Sequence, residues 1–227
     1  MPRPLHIKRP VTSMTPEAHE YLTKRCKVMR RLIRVHGPCT LQTEKAHTPF
    51  QSLVRAVAHQ QLNGTAAETI LRRFRALFPG KKFPSASDLA AVSDEALRGS
   101  GFSWAKIASL RDIAAKTLDG TIPSLRAIRK MTDLEIIERL VQVRGVGRWT
   151  VEMMLIFKLG RPDVFPADDF GIRDGFRVAY GLEEMPKPKE LLAHAELWRP
   201  HGTTAAWYLW QAANAAKEKK AIKGVNA

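Results

Sequence analysis

Residues 140–157 read Leu-Val-Gln-Val-Arg-Gly-Val-Gly-Arg-Trp-Thr-Val-Glu-Met-Met-Leu-Ile-Phe, and their reading decides the fold. Val143-Arg144-Gly145-Val146-Gly147-Arg148 is a very short turn between two apolar-periodic helices. Two glycines one residue apart let the backbone turn sharply and approach a partner with no Cβ in the way. The second helix starts at once, so its unpaired N–H groups point outward beside the glycine amides. That is an anion cradle, and the anion it suits is a phosphate. Glycine pairs at this spacing also serve as plain helix–helix turns, so the rest of the chain has to choose between the two readings.

Charge favours the phosphate. Of 227 residues, 37 are Lys or Arg and 22 are Asp or Glu, a formal net charge of +15. An excess of this size implies a polyanionic partner, a nucleic acid or an anionic membrane surface. No uninterrupted apolar run approaches membrane-spanning length. The opening Met1-Pro-Arg-Pro-Leu-His-Ile-Lys8 lacks the apolar core of a secretory signal. The expectation is therefore a protein that is not secreted and has no membrane partner. Its place would be the cytoplasm or nucleoid of a bacterium, or the nucleus of a eukaryote. Cys26 and Cys39 form no C-x-x-C and no disulfide framework. Residues 217–227, with Lys217, Lys219, Lys220 and Lys223, read as a frayed basic tail.

The remaining sequence reads as helix after helix. Thr15-Pro16-Glu17 supplies an N-cap, a proline at the first helical position and an early acid; Leu22, Cys26, Met29 and Ile33 follow on one face, up to Gly37-Pro38. Thr48-Pro49 opens a second helix, and Thr65-x-x-Glu68 and Thr132-x-x-Glu135 read as capping boxes. Ser93 and Ser103 start two more, and further helices are predicted near 170–180, 188–197 and 203–216. Period-2 alternation is nearly absent, so the fold class is all-α. The connections at 38–47, 119–131 and 160–168 are where the chain has room to cross between lobes.

Chemistry centres on Asp168-Asp169, which stand just before a helix. One reading makes one of them an N-cap. The other makes its neighbour an ionised group held in a cleft, its charged form favoured by the helix N-terminus.

The order of motifs resembles one family. Hairpin glycines, Arg-Trp-Thr, an apolar helix and then Val164-Phe-Pro-Ala-Asp-Asp-Phe-Gly-Ile172 resemble the helix-hairpin-helix DNA glycosylase superfamily, in its alkylation-repair branch of the 3-methyladenine DNA glycosylase II type. His59-Gln60-Gln61-Leu62, Gly101-Phe-Ser-Trp-Ala-Lys-Ile107, Leu197-Trp-Arg-Pro200 and Trp207-Tyr-Leu-Trp210 match other segments, so the likeness spans roughly 45–215. It implies two helical lobes flanking an active-site cleft: 50–165 as a central lobe with the hairpin at 132–158, and 1–49 with 166–216 as the second. The 227 residues would be one glycosylase unit of compact form, without the N-terminal β-rich domain of some relatives.

The resemblance also implies roles. Asp169 would be the catalytic carboxylate and Asp168 a structural neighbour. Leu62 would be the wedge that fills the gap left by a flipped base, with Gln61 and Asn63 beside it. Trp149, Trp210, Met153 and Phe170 would line the base pocket, Met153 standing where family members can carry an aromatic residue. Gly145, Gly147, Arg148 and Thr150 would hold backbone phosphate. The carbonyls of Val141, Val143 and Val146 would suit a structural Na+ or K+, with no other cofactor required. The branch that also cuts the strand carries a lysine right after Gly-x-Gly-Arg, where this chain has Trp149. The implied activity is thus monofunctional: removal of alkylated purines such as 3-methyladenine and 7-methylguanine from double-stranded DNA, by a monomer, leaving an abasic site. A helix-hairpin-helix DNA binder without catalysis, and a glycosylase for another damaged base, stand as alternatives. Lys106 would either meet a further phosphate or stay solvated.

Overall fold

The computed structural model describes residues 16–43 and 47–225. Among them are thirteen α-helices, one short 3-10 turn and no strand, the all-α class that the periodicity predicts. Contacts group the described residues into two compact units, one within Glu44–Met154 and one within Met1–Thr43 plus Leu155–Ala227.

The first of these holds α3 (Pro49–His59), α4 (Gly64–Ala76), α5 (Ala86–Ala91), α6 (Asp94–Gly99), α7 (Trp104–Leu118), α8 (Leu125–Ile128), α9 (Asp133–Leu140) and most of α10 (Arg148–Phe157). Its α7 packs on α3, α5 and α6. Ile107, Leu110, Ile113 and Ala114 recur at helical spacing and are at most 2 % exposed. Phe74 sits edge-to-face with Phe78, Phe83 and Phe102 at centroid distances of 5.4, 5.8 and 5.6 Å, a geometry that favours ring quadrupoles. Arg111 reaches from α7 to Asp94 at 2.6 Å and to the carbonyls of Leu89, Ala90 and Val92, covering the end of α5.

The second unit holds α1 (Pro16–Arg25), α2 (Lys27–His36), the last residues of α10, α11 (Phe170–Tyr180), α12 (Pro188–Ala195), the 3-10 turn Glu196–Trp198 and α13 (Gly202–Val225). Its core gathers Leu22, Met29, Ile172, Phe176, Trp198 and Tyr208. Here α11 lies hard against α13: a Cβ built on Gly175 would stand 1.9 Å from the carbonyl oxygen of Leu209. Cys26 and Cys39 are buried free thiols, and burial pushes Cys39 up to about 12.

Several expectations change. The first predicted helix is two, broken at extended Cys26, whose Sγ accepts from the Met29 amide at 3.5 Å and meets the Tyr180 hydroxyl at 3.3 Å. Its predicted N-cap, Thr15, lies outside the described residues. Asn63, not Thr65, caps α4, and Glu68 turns to Arg55 at 2.6 Å and His59 at 3.2 Å. Burial pushes the Glu68 carboxyl up, but those two bases outweigh it and hold it below its ordinary value. The basic stretch from Lys217 does not fray within the described residues: α13 runs on to Val225, and Lys217 to Ala221 are all good helix formers. The units divide at 43/44 and 154/155, where the sequence reading set 49/50 and 165/166. The second division falls inside α10, whose Phe157 stacks on Trp210 of α13 at 5.8 Å.

Gly175→Ala tests the α11–α13 approach. In an open helix the change would stabilise by about 1 kcal/mol. Here the new methyl meets backbone, so the unfolding free energy should instead fall by about 1–3 kcal/mol in a urea titration. A neutral or more stable variant would contradict the packing.

Candidate active site

Asp169 is built by the start of α11. It is extended, with φ −65° and ψ 125°, and its Oδ1 accepts the Ile172 amide at 2.9 Å, so this residue is itself the N-cap. The same Oδ1 accepts the Trp210 indole N–H at 2.8 Å, across 41 residues of chain. Two N–H donors on one oxygen, one from the first turn of α11 and one from α13, fix where this carboxylate points. Phe157 covers one face of the indole, at an interplanar angle of 26°. Gly171 makes room for it: an added Cβ would lie 2.9 Å from the Trp210 ring and 3.1 Å from Asp169 Oδ1. Phe170, the first residue of α11, is 59 % exposed, and Lys217 Nζ stands 5.9 Å over its ring.

Two acids thus had two expected roles, and the structure divides them differently. The cap falls to Asp169, the residue also expected to carry the chemistry. Asp168, one residue before the cap, is exposed.

The other unit carries the hairpin. α9 ends at Leu140 with Val141 as its C-cap, and Val146 donates its amide to the Val143 carbonyl at 3.0 Å, closing the turn before α10 starts at Arg148. Gly145 has φ +76° and is pressed on α7, where an added Cβ would lie 2.5 Å from Ser109 Oγ. Gly147 is exposed as Gly145 is, but an added Cβ there would meet nothing within 4 Å. Arg148 is fixed by its Nε on Glu152 at 2.8 Å, a carboxylate whose side chain is 7 % exposed. Thr150 is buried, on the side of α10 that carries Met154 one turn later, so its side chain is not offered to a phosphate as expected. Trp149 is 48 % exposed and Met153 half-buried on the same helix.

The turn from α3 to α4 presents Leu62, 40 % exposed, between Gln61 at φ +57° and Asn63. A positive φ is unusual for a residue with a Cβ, and such positions cluster where a side chain must be aimed. Asn63 Oδ1 is engaged as the α4 cap by the Ala66 amide at 2.9 Å. Lys106 is not a surface cation. Its Nζ donates to the carbonyls of Ala58 and Gln60, both at 2.9 Å, and burial lowers its pKa. Gln60 donates its Nε2 to the Gly145 carbonyl at 2.7 Å.

Hence the structure joins Asp169, Phe170 and Trp210 in one unit. It joins the Leu62 turn and the hairpin in the other. Sequence reasoning left Gly171 and Gln60 without roles. Gly171 had one faint signal, a glycine in the first turn of a helix that needs no glycine for its cap. Gln60 had none, because its partner is 85 residues away.

Known proteins share this fold. The family model described as HhH-GPD superfamily base excision DNA repair protein matches residues 54–200. The chain is 40 % identical over 216 residues to DNA-3-methyladenine glycosylase 1 of Schizosaccharomyces pombe, covering 94 % of this chain and 93 % of that protein. It is 35 % identical to the alkylbase DNA glycosidase-like protein mag2 of the same organism, over 79 % of this chain and 85 % of that one. Among solved structures, the S. pombe 3-methyladenine DNA glycosylase in complex with abasic DNA superposes with a TM-score of 0.77 at 40 % identity, covering 86 % of this chain and 95 % of that one. A DNA-3-methyladenine glycosidase from Bacillus halodurans gives 0.81 at 34 % identity, over 90 % and 92 %. By its motif order and by this match over residues 54–200, the chain belongs to the HhH-GPD superfamily of base excision DNA repair proteins.

Proposed function

We propose that this chain is a monofunctional DNA-3-methyladenine glycosylase, acting as a monomer on double-stranded DNA that carries alkylated purines. The observation that carries the reading is the Asp169 carboxylate, fixed by the Ile172 amide and the Trp210 indole. Names support it too, since the relatives above are 3-methyladenine and alkylbase glycosylases.

The chemistry follows from charge. A base inside the stack is out of reach, so it first leaves the duplex, and Leu62 fills the gap, flanked by Gln61 and Asn63. Residues suited to a flipped purine lie on each unit, Phe170 and Trp210 on one and Trp149 and Met153 on the other. Alkylation at N3 or N7 gives that purine a positive charge, which an indole face attracts. When the C1′–N bond breaks, its electron pair leaves with the base, which departs neutral. Positive charge builds on the deoxyribose, and Asp169 stabilises it. Water adds at C1′ and gives up a proton, for which Asp169 is the base. Trp149 stands where a strand-cutting relative would carry its lysine, and an indole forms no imine.

Phosphate is held by the amides of Gly145 and Gly147 and by Arg148. A monovalent Na+ or K+ suits the carbonyls of Val141, Val143 and Val146. They are hard oxygen donors at a helix C-terminus, and the Val143 oxygen keeps a second lone pair beside its bond from Val146. When bound, the ion would add positive charge at the phosphate grip, and no bond-making step passes through it.

Asp169→Asn should lower excision of 3-methyladenine about a thousandfold in single turnover while duplex affinity holds or rises. In the same assay the parent should yield strand breaks only after alkali, and borohydride should trap no protein–DNA adduct. An unchanged rate, or a trapped adduct removed by replacing one lysine, would overturn the assignment.

Gly147→Leu should fold normally, because an added Cβ meets nothing within 4 Å and the position is exposed. Losing one or two charge-assisted phosphate bonds should weaken binding to any duplex, damaged or not, by about 10–100-fold. Affinity equal to the parent's at matched salt would make the hairpin a plain turn.

A further inference from the structure

The hairpin and the Leu62 turn are not separate devices. Both are fastened along one side of α7. Near its start, Lys106 Nζ donates to the Ala58 and Gln60 carbonyls, both at 2.9 Å, covering the end of α3 where the turn begins. One turn on, Ser109 stands so close to Gly145 that only a glycine fits. Farther along, Asp112 Oδ2 accepts the Arg144 amide at 2.7 Å, and Lys116 Nζ holds both Asp112, at 2.7 Å, and the Gln142 carbonyl. A helix is a rigid ruler rising 1.5 Å per residue, so α7 fixes the separation of the two elements. Gln60 then joins them directly, through its Nε2 on the Gly145 carbonyl at 2.7 Å.

We propose that Gln60 is a positioning residue for base flipping, carrying the hairpin's hold on phosphate through to the placement of the Leu62 wedge. The inference rests on the wedge and phosphate-grip roles proposed above. The physical argument is one of backbone restraint. The turn leaves α3 at Gln60, passes through Gln61 at φ +57° and exposes Leu62 before Asn63 starts α4. Its own local bond is a single 3.2 Å contact from the Leu62 amide to the His59 carbonyl. Strain of this kind persists only where surrounding groups impose it. Gln60 supplies two of those restraints at once, one from its carbonyl to Lys106 and one from its side-chain amide to Gly145. An apolar side chain of equal length keeps the first and loses the second. Phosphate would still bind, but the turn would no longer be held to the grip, and Leu62 would enter the stack less often.

The test is single-turnover excision of 7-methylguanine from two duplexes, one with cytosine opposite the lesion and one with an abasic analogue there. Flipping costs more when the lesion is paired. Gln60→Met should bind undamaged duplex as the parent does. It should slow excision of the paired lesion about three- to tenfold, the worth of one net hydrogen bond. Excision of the unpaired lesion should stay within twofold of the parent. A 2-aminopurine beside the lesion should brighten less, in the same proportion. Gln60→Lys, which restores an N–H donor of similar reach, should recover most of the loss. Leu62→Ala runs in parallel. If it slows the paired lesion and Gln60→Met does not, the coupling is wrong and the wedge stands. If Leu62→Ala slows neither, the wedge reading itself has failed. Equal slowing of both lesions by Gln60→Met, with an unchanged thermal midpoint, would also overturn the coupling.

Discussion

One carboxylate oxygen, Asp169 Oδ1, accepts two N–H groups, from Ile172 and Trp210, and the rest of its unit is arranged to keep it so. The first bond belongs to the start of α11. The second requires α13 to lie close enough for an indole to reach. Two glycines one helical turn apart, Gly171 and Gly175, leave the facing side of α11 bare. At Gly175 the Leu209 carbonyl comes where a Cβ would be, and at Gly171 the Trp210 ring does. Phe157 then closes the outer face of that ring. Helix packing, a cap and a candidate catalytic group are thus one constraint. A larger residue at either glycine acts on all three.

The other unit answers a different demand. On the proposed roles, with the hairpin gripping the DNA backbone and Leu62 as the wedge, the two have to keep a set spacing. Helix α7 meets that demand with a buried apolar side toward α3, α5 and α6, and a polar series, Lys106, Ser109, Asp112 and Lys116, under the hairpin and the Leu62 turn. Of those four, Lys106 is the instructive case. The sequence leaves it either phosphate-binding or solvated, yet its ammonium is engaged by two carbonyls at the end of α3. The net charge of +15 points to a polyanion without telling which cations touch it.

What was legible in the sequence was local. The hairpin, the capping boxes at Thr48 and Thr132 and the cap at Ser103 are each decided by residues within four positions, and each stands in the structure. Thr48 was read only as a helix start; its box partner is Gln51. Where distant partners compete, local reading failed. Thr65-x-x-Glu68 has the spacing of a box, but Arg55 and His59 claim the acid and Asn63 takes the cap. Cys26 looks like one more apolar position on a long helix, yet it breaks it, with Tyr180 as partner 154 residues on. Helices α5 and α8, six and four residues long, are too short to show a period. The Asp168-Asp169 pair was legible as a site, but cap and chemistry were assigned to different acids. Only the bond from Trp210 shows that one residue carries the cap and the candidate chemistry together.

Trp210→Phe measures the central claim most directly. Phenylalanine keeps a six-membered ring facing Phe157 and removes the N–H that holds Asp169, together with the five-membered part of the indole. A hydrogen bond to a charged group contributes about 1.5–3 kcal/mol, so the single-turnover rate of base release should fall about 10–100-fold. Affinity for abasic DNA should stay at the parent's value, since no phosphate contact is touched. A variant that releases base at the parent rate would contradict the claim that this bond positions the carboxylate.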